Sequence, residues 1–273
     1  SCGGQFTANT MACVSEAIGL ALPGSSAPPA SYESRDAIAF ESGEAVMRLL
    51  KDKIRPRDIV TRKALENAAA VVAATGGSTN AGLHLPAIAH EAGIDFDLHD
   101  VGAIFEKTPY LADLKPGGKY VAMDLYKVGG VAVVMKTLLE GGYLHGDCLT
   151  VTGKTIADNL RDVTFPPYSP LPVGEVGVAL ATTGEGSVKS KQALTPTLSQ
   201  GERGQSVVAP HDNPLSPTGG VVTLKGNLAP EGAIVKVAGL KQRVFTGPAR
   251  VFDCEEDAFA AVQAKKYKAG EVI

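Results

Sequence analysis

Apolar residues recur along the first half of this chain at three- and four-residue spacing, and that period predicts helices. Met11, Val14 and Ile18 share one face of a first helix, with Thr7 as a capping hydroxyl at its start. Leu22-Pro23-Gly24-Ser25-Ser26 interrupts the pattern. A long helix is expected from about Ser34 to Lys53, with Ala39, Val46, Met47 and Leu50 as its apolar stripe. Arg and Lys gather near its end, where the helix dipole favours cations, and Arg55-Pro56 stops it. Thr61 opens a further helix through Leu65, Ala68 and Val72, which closes at Gly76-Gly77. Ser78 or Thr79 caps the next, which runs to about Ala92 and stops at Gly93.

A short helix is predicted at 100–107, a turn at Lys115-Pro116-Gly117-Gly118, and a helix from Met123 to Glu140 with Val128, Val131, Val134, Met135 and Leu138 apolar. Gly129-Gly130 inside it costs about 1 kcal/mol per glycine relative to alanine, a cost usually tied to close packing. Leu149-Thr150-Val151 has the composition of a strand, and 155–160 that of one or two helical turns. From Pro166 to Pro217 proline, glycine, serine and threonine dominate, and such a stretch buries too little apolar area to offset its ordering entropy. Beyond Gly219-Gly220 the pattern changes to strands at 221–224, 233–237, 243–245 and 249–252, with a short helix at 255–264.

The implied fold class is α/β. Residues 1–165 form the helix-rich part of a three-layer α/β domain, and 166–219 a linker whose insertion is expected to be disordered from about 171 to 206. Residues 220–273 begin a β-rich, barrel-like domain. The 273 residues are 44% hydrophobic, enough for a sizeable core. A net charge of -3 gives no reason to expect a nucleic acid or an anionic membrane as partner. No apolar run is long enough to span a bilayer. The chain starts at Ser1 rather than Met and ends in an apolar run, Glu271-Val272-Ile273, so an internal piece of a longer protein is expected, with any targeting segment invisible.

Four cysteines, Cys2, Cys13, Cys148 and Cys254, are widely spread and contain no CxxC pair, which fits a reducing compartment better than a disulfide scaffold or zinc finger. Cys2 stands before two glycines and a helix start. The glycines let the backbone turn tightly beside the sulfur, and the helix N-terminus favours thiolate, the form that attacks carbon or binds metal. A lone cysteine near a chain end is also often an inert small apolar residue. Gly77-Ser78-Thr79 at a capped helix start could receive a substrate carboxylate on backbone N–H groups; an ordinary C-cap followed by an ordinary N-cap accounts for the same residues. His84 and His90 are six residues apart on one helix and point to different faces, which is not metal-binding spacing. His99, His145 and His211 stand alone.

Residues 2–30, beginning Cys2-Gly3-Gly4-Gln5-Phe6-Thr7-Ala8-Asn9-Thr10-Met11, resemble the third-cysteine motif of dihydroxy-acid dehydratases, in the family that also holds phosphogluconate and sugar-acid dehydratases. Ala74-Thr75-Gly76-Gly77-Ser78-Thr79-Asn80 with Leu83-His84-Leu85 resembles a second signature of that family, and 125–142 with Gly129-Gly130-Val131 a third. A fourth runs from Pro214 to Val251 and includes Gly226-Asn227-Leu228-Ala229-Pro230-Glu231-Gly232 and Phe245-Thr246-Gly247-Pro248-Ala249. The chain departs from the family between Pro170 and Pro210, where relatives have far fewer residues. Ala193 to Gly204 is therefore expected to be part of an insertion without catalytic role.

The resemblance implies a hydro-lyase that converts 2,3-dihydroxy-3-methyl carboxylic acids to 2-oxo acids in branched-chain amino acid synthesis. It implies an iron–sulfur cluster, 2Fe-2S rather than 4Fe-4S, with Cys2 as one ligand, and a magnesium ion whose ligands lie outside this chain. It places the base serine beyond Ile273, so no catalytic residue is expected here; Ser78 and Thr79 are the substrate-binding candidates. It further implies a cytoplasmic homodimer acting on a small dihydroxy acid. Two other readings remain open at this point: a sugar-acid dehydratase of the same family, and a catalytically dead fragment.

Overall fold

The structure, a computed structural model, describes residues 3–164 and 206–273. The segment expected to be disordered, about 171 to 206, lies outside the described residues except at its last position. Among the described residues the chain forms ten helices and one two-stranded antiparallel sheet, a helix-rich arrangement compatible with an α/β domain. No described helix is long and apolar enough to cross a membrane.

The core is built around the helix α4, Arg62–Thr75. The hydroxyl of its N-cap, Thr61, accepts from Ala64 N at 3.2 Å, and Gly76 ends it at φ 57°. Seven of its residues are alanine or valine from Ala68 to Ala74, all buried. Small side chains all round let neighbours approach closely, and alanine carries the best helix propensity. α1 (Thr7–Ile18), α5 (Ala81–Ala92), α6 (Leu98–Lys107) and α8 (Val131–Glu140) all pack on it. Two polar residues of α4, Asn67 and Thr75, are fully buried, and Asn67 ties the core to a loop. It receives His145 N at 2.7 Å and donates to His145 O at 3.0 Å, which pins the 145–148 loop to the core.

The β1–β2 hairpin, Val221–Leu224 and Ala233–Lys236, packs on α6, with Val221 opposite Lys236. The approach needs Gly102: a Cβ there would lie 2.1 Å from Thr223 Oγ1. Gly220 N donates to Ala73 O at 3.0 Å, so the strand starts hydrogen-bonded to the end of α4. Compact packing divides the chain into a first unit, Ser1–Gly239, which takes in this hairpin, and a second, Leu240–Ile273. The second holds the helix Glu255–Gln263, a single parallel bridge between Ala249 and Val272, and a forked ion pair in which Arg250 meets Glu271 at 2.9 and 3.0 Å.

Several expectations are corrected. Thr7 is not a cap but the first residue of α1; its N-cap is Phe6. The helix expected from Met123 to Glu140 is two, α7 (Ala122–Lys127) and α8, because Gly129 and Gly130 adopt φ 107° and 70°, outside helical space. Leu149 to Val151 is not a strand: Leu149 makes one isolated bridge with Thr155 as the chain turns. The segments 243–245 and 249–252 are irregular apart from the Ala249 bridge. Pro56 does not merely end α2 (Ser34–Asp52) but starts the short helix α3 (Pro56–Ile59), a position where its missing N–H costs nothing. The expected stripe on α2 is exposed: Val46, Met47 and Leu50 are 54%, 66% and 67% exposed, and only Ala45 of that helix is buried.

Candidate functional site

Cys2 itself lies outside the described residues; the backbone that follows it is fixed by a set of long-range hydrogen bonds. Gly3 O accepts from Ala122 N at 2.9 Å. Gly4 O accepts from the Asn9 side chain at 2.7 Å. Gln5 N donates to Lys115 O at 2.6 Å, and Gln5 O accepts from Lys236 Nζ at 3.3 Å. The Gln5 side chain is buried and donates to Thr75 Oγ1 at 3.0 Å and toward Cys13 Sγ at 3.6 Å. Gly4 has to be glycine for this seat: a Cβ would stand 2.8 Å from Lys115 O. Four separate segments thus hold the bend in front of α1.

The α4–α5 junction faces the same helix start. Ser78 N donates to Thr10 Oγ1 at 2.9 Å, and Ser78 Oγ lies 3.3 Å from Thr7 Oγ1. Asn80 closes the group, its side chain donating to Thr7 Oγ1 at 2.7 Å and its N–H to Ser78 Oγ at 3.2 Å. Gly77 fits because a Cβ there would meet Thr10 Cγ2 and Val72 Cγ1 at 2.9 Å. Sequence reasoning placed a cap at Ser78 or Thr79; the N-cap of α5 is Asn80, and it makes no side-chain capping bond. Ser78 and Thr79 are both partly exposed. The structure therefore brings Ser78 to the first turn of α1, the helix whose start carries the Cys2 motif.

One ammonium lies against the bend. Lys236 is partly buried, and desolvation holds its pKa below the ordinary lysine value; no described carboxylate pairs with it. Its contact with Gln5 O brings positive charge three residues from Cys2 along the chain. Nearby, Tyr110 has its ring against Gly76 and Gly220, and its buried hydroxyl has no hydrogen-bond partner among the described residues. Burial first, and the Asp113 charge second, push that phenol up to about 12.

The other cysteines are poor ligands. Cys13 is buried on α1, and desolvation pushes its thiol up to about 12 against the opposing Gln5 bond. Cys148 is buried beside Asn67, and burial raises its pKa too. Cys254 is exposed and sits at the N-cap of the helix in the second unit. His145 pairs with Glu66 at 2.6 Å, and His84 and His90 lie on α5 without metal-binding company. Among the described residues no group of three His, Cys, Asp or Glu could hold a metal ion. Gln5, Thr10, Asn80 and Lys236 carry the site's geometry but were not singled out from the sequence. Gln5 belongs to a quoted motif, yet nothing in its neighbours signals burial, and Lys236 is over two hundred positions away.

Comparison with known proteins places the chain on the two halves of one family. The family model described as dihydroxy-acid/6-phosphogluconate dehydratase N-terminal matches residues 1–159, and the corresponding C-terminal model matches residues 206–273. A dihydroxy-acid dehydratase of Parvibaculum lavamentivorans is 62% identical over all of this chain and 42% of its own length. A dihydroxy-acid dehydratase 2 of Bradyrhizobium diazoefficiens is 61% identical and a dihydroxy-acid dehydratase of Pelagibacter ubique 60%, each again over all of this chain and 41% of its own. The chain thus spans about two fifths of the length of these curated relatives.

Proposed function

The chain belongs to the dihydroxy-acid/6-phosphogluconate dehydratase family, and from that premise we propose that the protein is a hydro-lyase. Its substrates in this reading are 2,3-dihydroxy-3-methyl carboxylic acids, its products 2-oxo acids, and its place the synthesis of branched-chain amino acids in a reducing, cytoplasmic compartment. The observation that carries it is the N-terminal family match, which begins on the Cys2 motif and is joined by relatives named for the dihydroxy acid at 60–62% identity. The barrel-like character of residues 220–273 and a homodimeric assembly belong to the same proposal.

The family implies an iron–sulfur cluster, and the residues here fit part of it. The described cysteines are unsuited, since two are buried with raised thiol pKa values and the third lies in the second unit. The clamp on Gly3, Gly4 and Gln5 suits a ligand position, because a cysteine joined to an immobile bend needs little reorganisation to meet iron. Cys2 would hold the cluster through one sulfur, with the remaining ligands from outside this chain. When bound, such a cluster supplies a Lewis-acidic iron that eases departure of the 3-hydroxyl. The magnesium ion of this reading would take its ligands from outside this chain.

The chain's own residues have simpler tasks. Lys236 places an ammonium at the Gln5 carbonyl, a field that favours thiolate at Cys2. Ser78 and Thr79, at the start of α5, orient the substrate carboxylate through their hydroxyls, the Ser78 N–H being held by Thr10. The proton-abstracting serine lies outside these residues in this reading, so the chain binds and orients but does not move the substrate proton. The product of the whole gene tests this. Cys2→Ser should lose most of its iron and its turnover of 2,3-dihydroxyisovalerate while keeping its circular dichroism. Retained iron and turnover would remove Cys2 from the site, and faster turnover of an aldonic acid would move the protein to the sugar-acid branch that the family description also covers.

A further inference from the structure

The boundary between the two halves of the family and the boundary between the two packed units do not coincide. The C-terminal family model starts at residue 206, whereas the first unit runs to Gly239. The start of the C-terminal half is stitched into the packing of the N-terminal half. Asp113 N donates to Val207 O at 3.0 Å, and Ala209 N to Leu111 O at 2.8 Å. Leu215 N donates to Tyr110 O at 2.9 Å, and Gly219 N to Phe105 O at 3.0 Å. The β1–β2 hairpin follows directly on these bonds.

Ile234 and Lys236 share one face of β2. Ile234 packs over the start of α5, where a Cβ on Gly82 would stand 2.7 Å from its Cδ1. Just beyond the strand Ala238 packs on Gly76 and Gly220, its Cβ 3.2 and 3.0 Å from where theirs would be. Lys236 lies between these two apolar contacts and carries its ammonium to Gln5 O at 3.3 Å. Desolvation opposes a charge there and lowers its pKa. Three successive carbonyls of the bend accept from three different places: Gly3 O from Ala122 N, Gly4 O from the Asn9 amide and Gln5 O from Lys236. Of these donors only Lys236 is charged, and only Lys236 comes from the C-terminal half. Of the other charges near the bend, Lys115 offers its carbonyl to Gln5 N and has an exposed side chain, and Lys119 bears on Asp113.

We infer that Lys236 is a positioning residue for the iron ligand, reaching from the C-terminal half of the family to the Gln5 carbonyl, and that its charge sets both how firmly the Cys2 bend holds iron and how readily the bound cluster accepts an electron. A cation held near a cluster favours its reduced form, because local charge is one of the factors that fix a cluster's potential. The same cation favours the thiolate that iron requires. The inference rests on the cluster reading above and extends it from the sulfur to its surroundings. It also gives the hairpin a task that packing alone does not: the N-terminal half carries the cysteine, and the C-terminal half supplies the charge beside it.

The whole gene product, loaded with its cluster without oxygen, tests this by two readings that do not depend on turnover. One is the midpoint potential, from a dye-mediated reductive titration followed in the visible spectrum; the other is the rate of iron release to a chelator. Lys236→Met should move the midpoint to a more negative potential and release iron about tenfold faster, the lower end of what losing a partner next to a ligand costs. Methionine is similar in length and needs no desolvation of a charge, so the fold should be kept. Lys236→Gln, also neutral, should show the same shift, and Lys236→Arg should return both readings most of the way to wild type. Ile234→Ala loosens the hairpin but leaves the ammonium; it should lower the unfolding midpoint without moving the potential. A wild-type potential in both neutral variants would overturn the role of Lys236 and leave Cys2 as ligand. A shift in Ile234→Ala equal to that in Lys236→Met would overturn it too, by reducing Lys236 to an anchor of the hairpin. Iron retained by Cys2→Ser would defeat the cluster reading itself, and this inference with it.

Discussion

The side-chain amide of Gln5 donates to the hydroxyl of Thr75 across 3.0 Å, joining the bend ahead of α1 to the last residue of α4. Both residues are buried, and Thr75 passes the bond on to Val71 O at 2.8 Å. The bend is therefore an extension of the most buried helix in the chain. Gln5→Leu keeps the volume and removes the donor, leaving Thr75 Oγ1 without its incoming bond. Loss of a buried hydrogen bond with one partner left behind costs about 1–3 kcal/mol. Urea unfolding of the whole gene product should show a loss in that range, and its iron should be lost faster to a chelator than wild-type iron. A variant as stable and as retentive as wild type would show that the clamp does not position Cys2.

Gly77→Ala probes the joint between α1 and α5. The added methyl would stand 2.9 Å from both Thr10 Cγ2 and Val72 Cγ1, closer than carbon atoms pack, and neither neighbour is the end of a flexible chain. Forced overpacking of this kind costs about 1–3 kcal/mol. The Ser78 N to Thr10 Oγ1 bond should lengthen with it. A lowered unfolding midpoint at unchanged slope in denaturant is the expected result.

Ser78 and Thr79 separate structural from substrate effects. Ser78 Oγ is engaged by Thr7 and by Asn80 N, so Ser78→Ala should lower stability as well as weaken substrate binding. No side-chain bond of Thr79 recurs in that network. Thr79→Ala should therefore raise the KM for dihydroxyisovalerate about three- to tenfold, the effect of one hydrogen bond, at an unchanged melting temperature. An unchanged KM in both variants would retire the carboxylate site at this helix start.

How far the sequence foretold this differs between elements. α4 was legible because helix-forming alanines, a capping threonine and a closing glycine all agree, and its bounds fall within a residue of those expected. The ends of α2 were equally clear, but periodicity identifies a face without telling what covers it: Val46, Met47 and Leu50 of the expected stripe are exposed. The Gly129-Gly130 pair was seen, yet its cost was assigned to a continuous helix; positive φ at both positions breaks the helix instead. At the site, Ser78 was found by local capping logic. Gln5, Thr10 and Lys236 were not, because their roles come from contacts between distant segments that no spacing rule encodes.

Cysteine labelling tests the environments directly. The Cys13 thiol, pushed up to about 12 by burial, stays protonated at neutral pH and is 5% exposed. Cys254 is exposed in the second unit. Iodoacetamide at pH 8 on the native protein should modify Cys254 and spare Cys13 and Cys148, with all three labelled in denaturant, as peptide mass spectrometry would show. Rapid native modification of Cys13 would mean that the α1–α4 contact opens far more readily than its packing implies.

The last prediction concerns Glu16, which faces inward from α1 and holds the loop after it. Its carboxylate accepts from Gly24 N at 2.9 Å, from Ser26 N at 2.7 Å and from the Ser26 hydroxyl at 2.5 Å. Burial raises its pKa above the ordinary value of 4.5, and the Ser26 and Gly24 bonds pull the other way without prevailing. A carboxylate raised on folding binds its proton more tightly in the native state than in the unfolded chain. Its contribution is thus complete below the unfolded pKa and declines as pH rises through the folded one. Glu16→Gln removes the titration and keeps the size. The stability of the wild type relative to Glu16→Gln should accordingly fall as pH rises from the unfolded value, then level off once the folded group has ionised. Denaturant unfolding of both proteins from pH 4 to pH 8 measures that difference, in which titrations common to the two cancel. A difference that grew with pH would mean that the three donors outweigh desolvation and that the 24–26 loop is held by a group already charged.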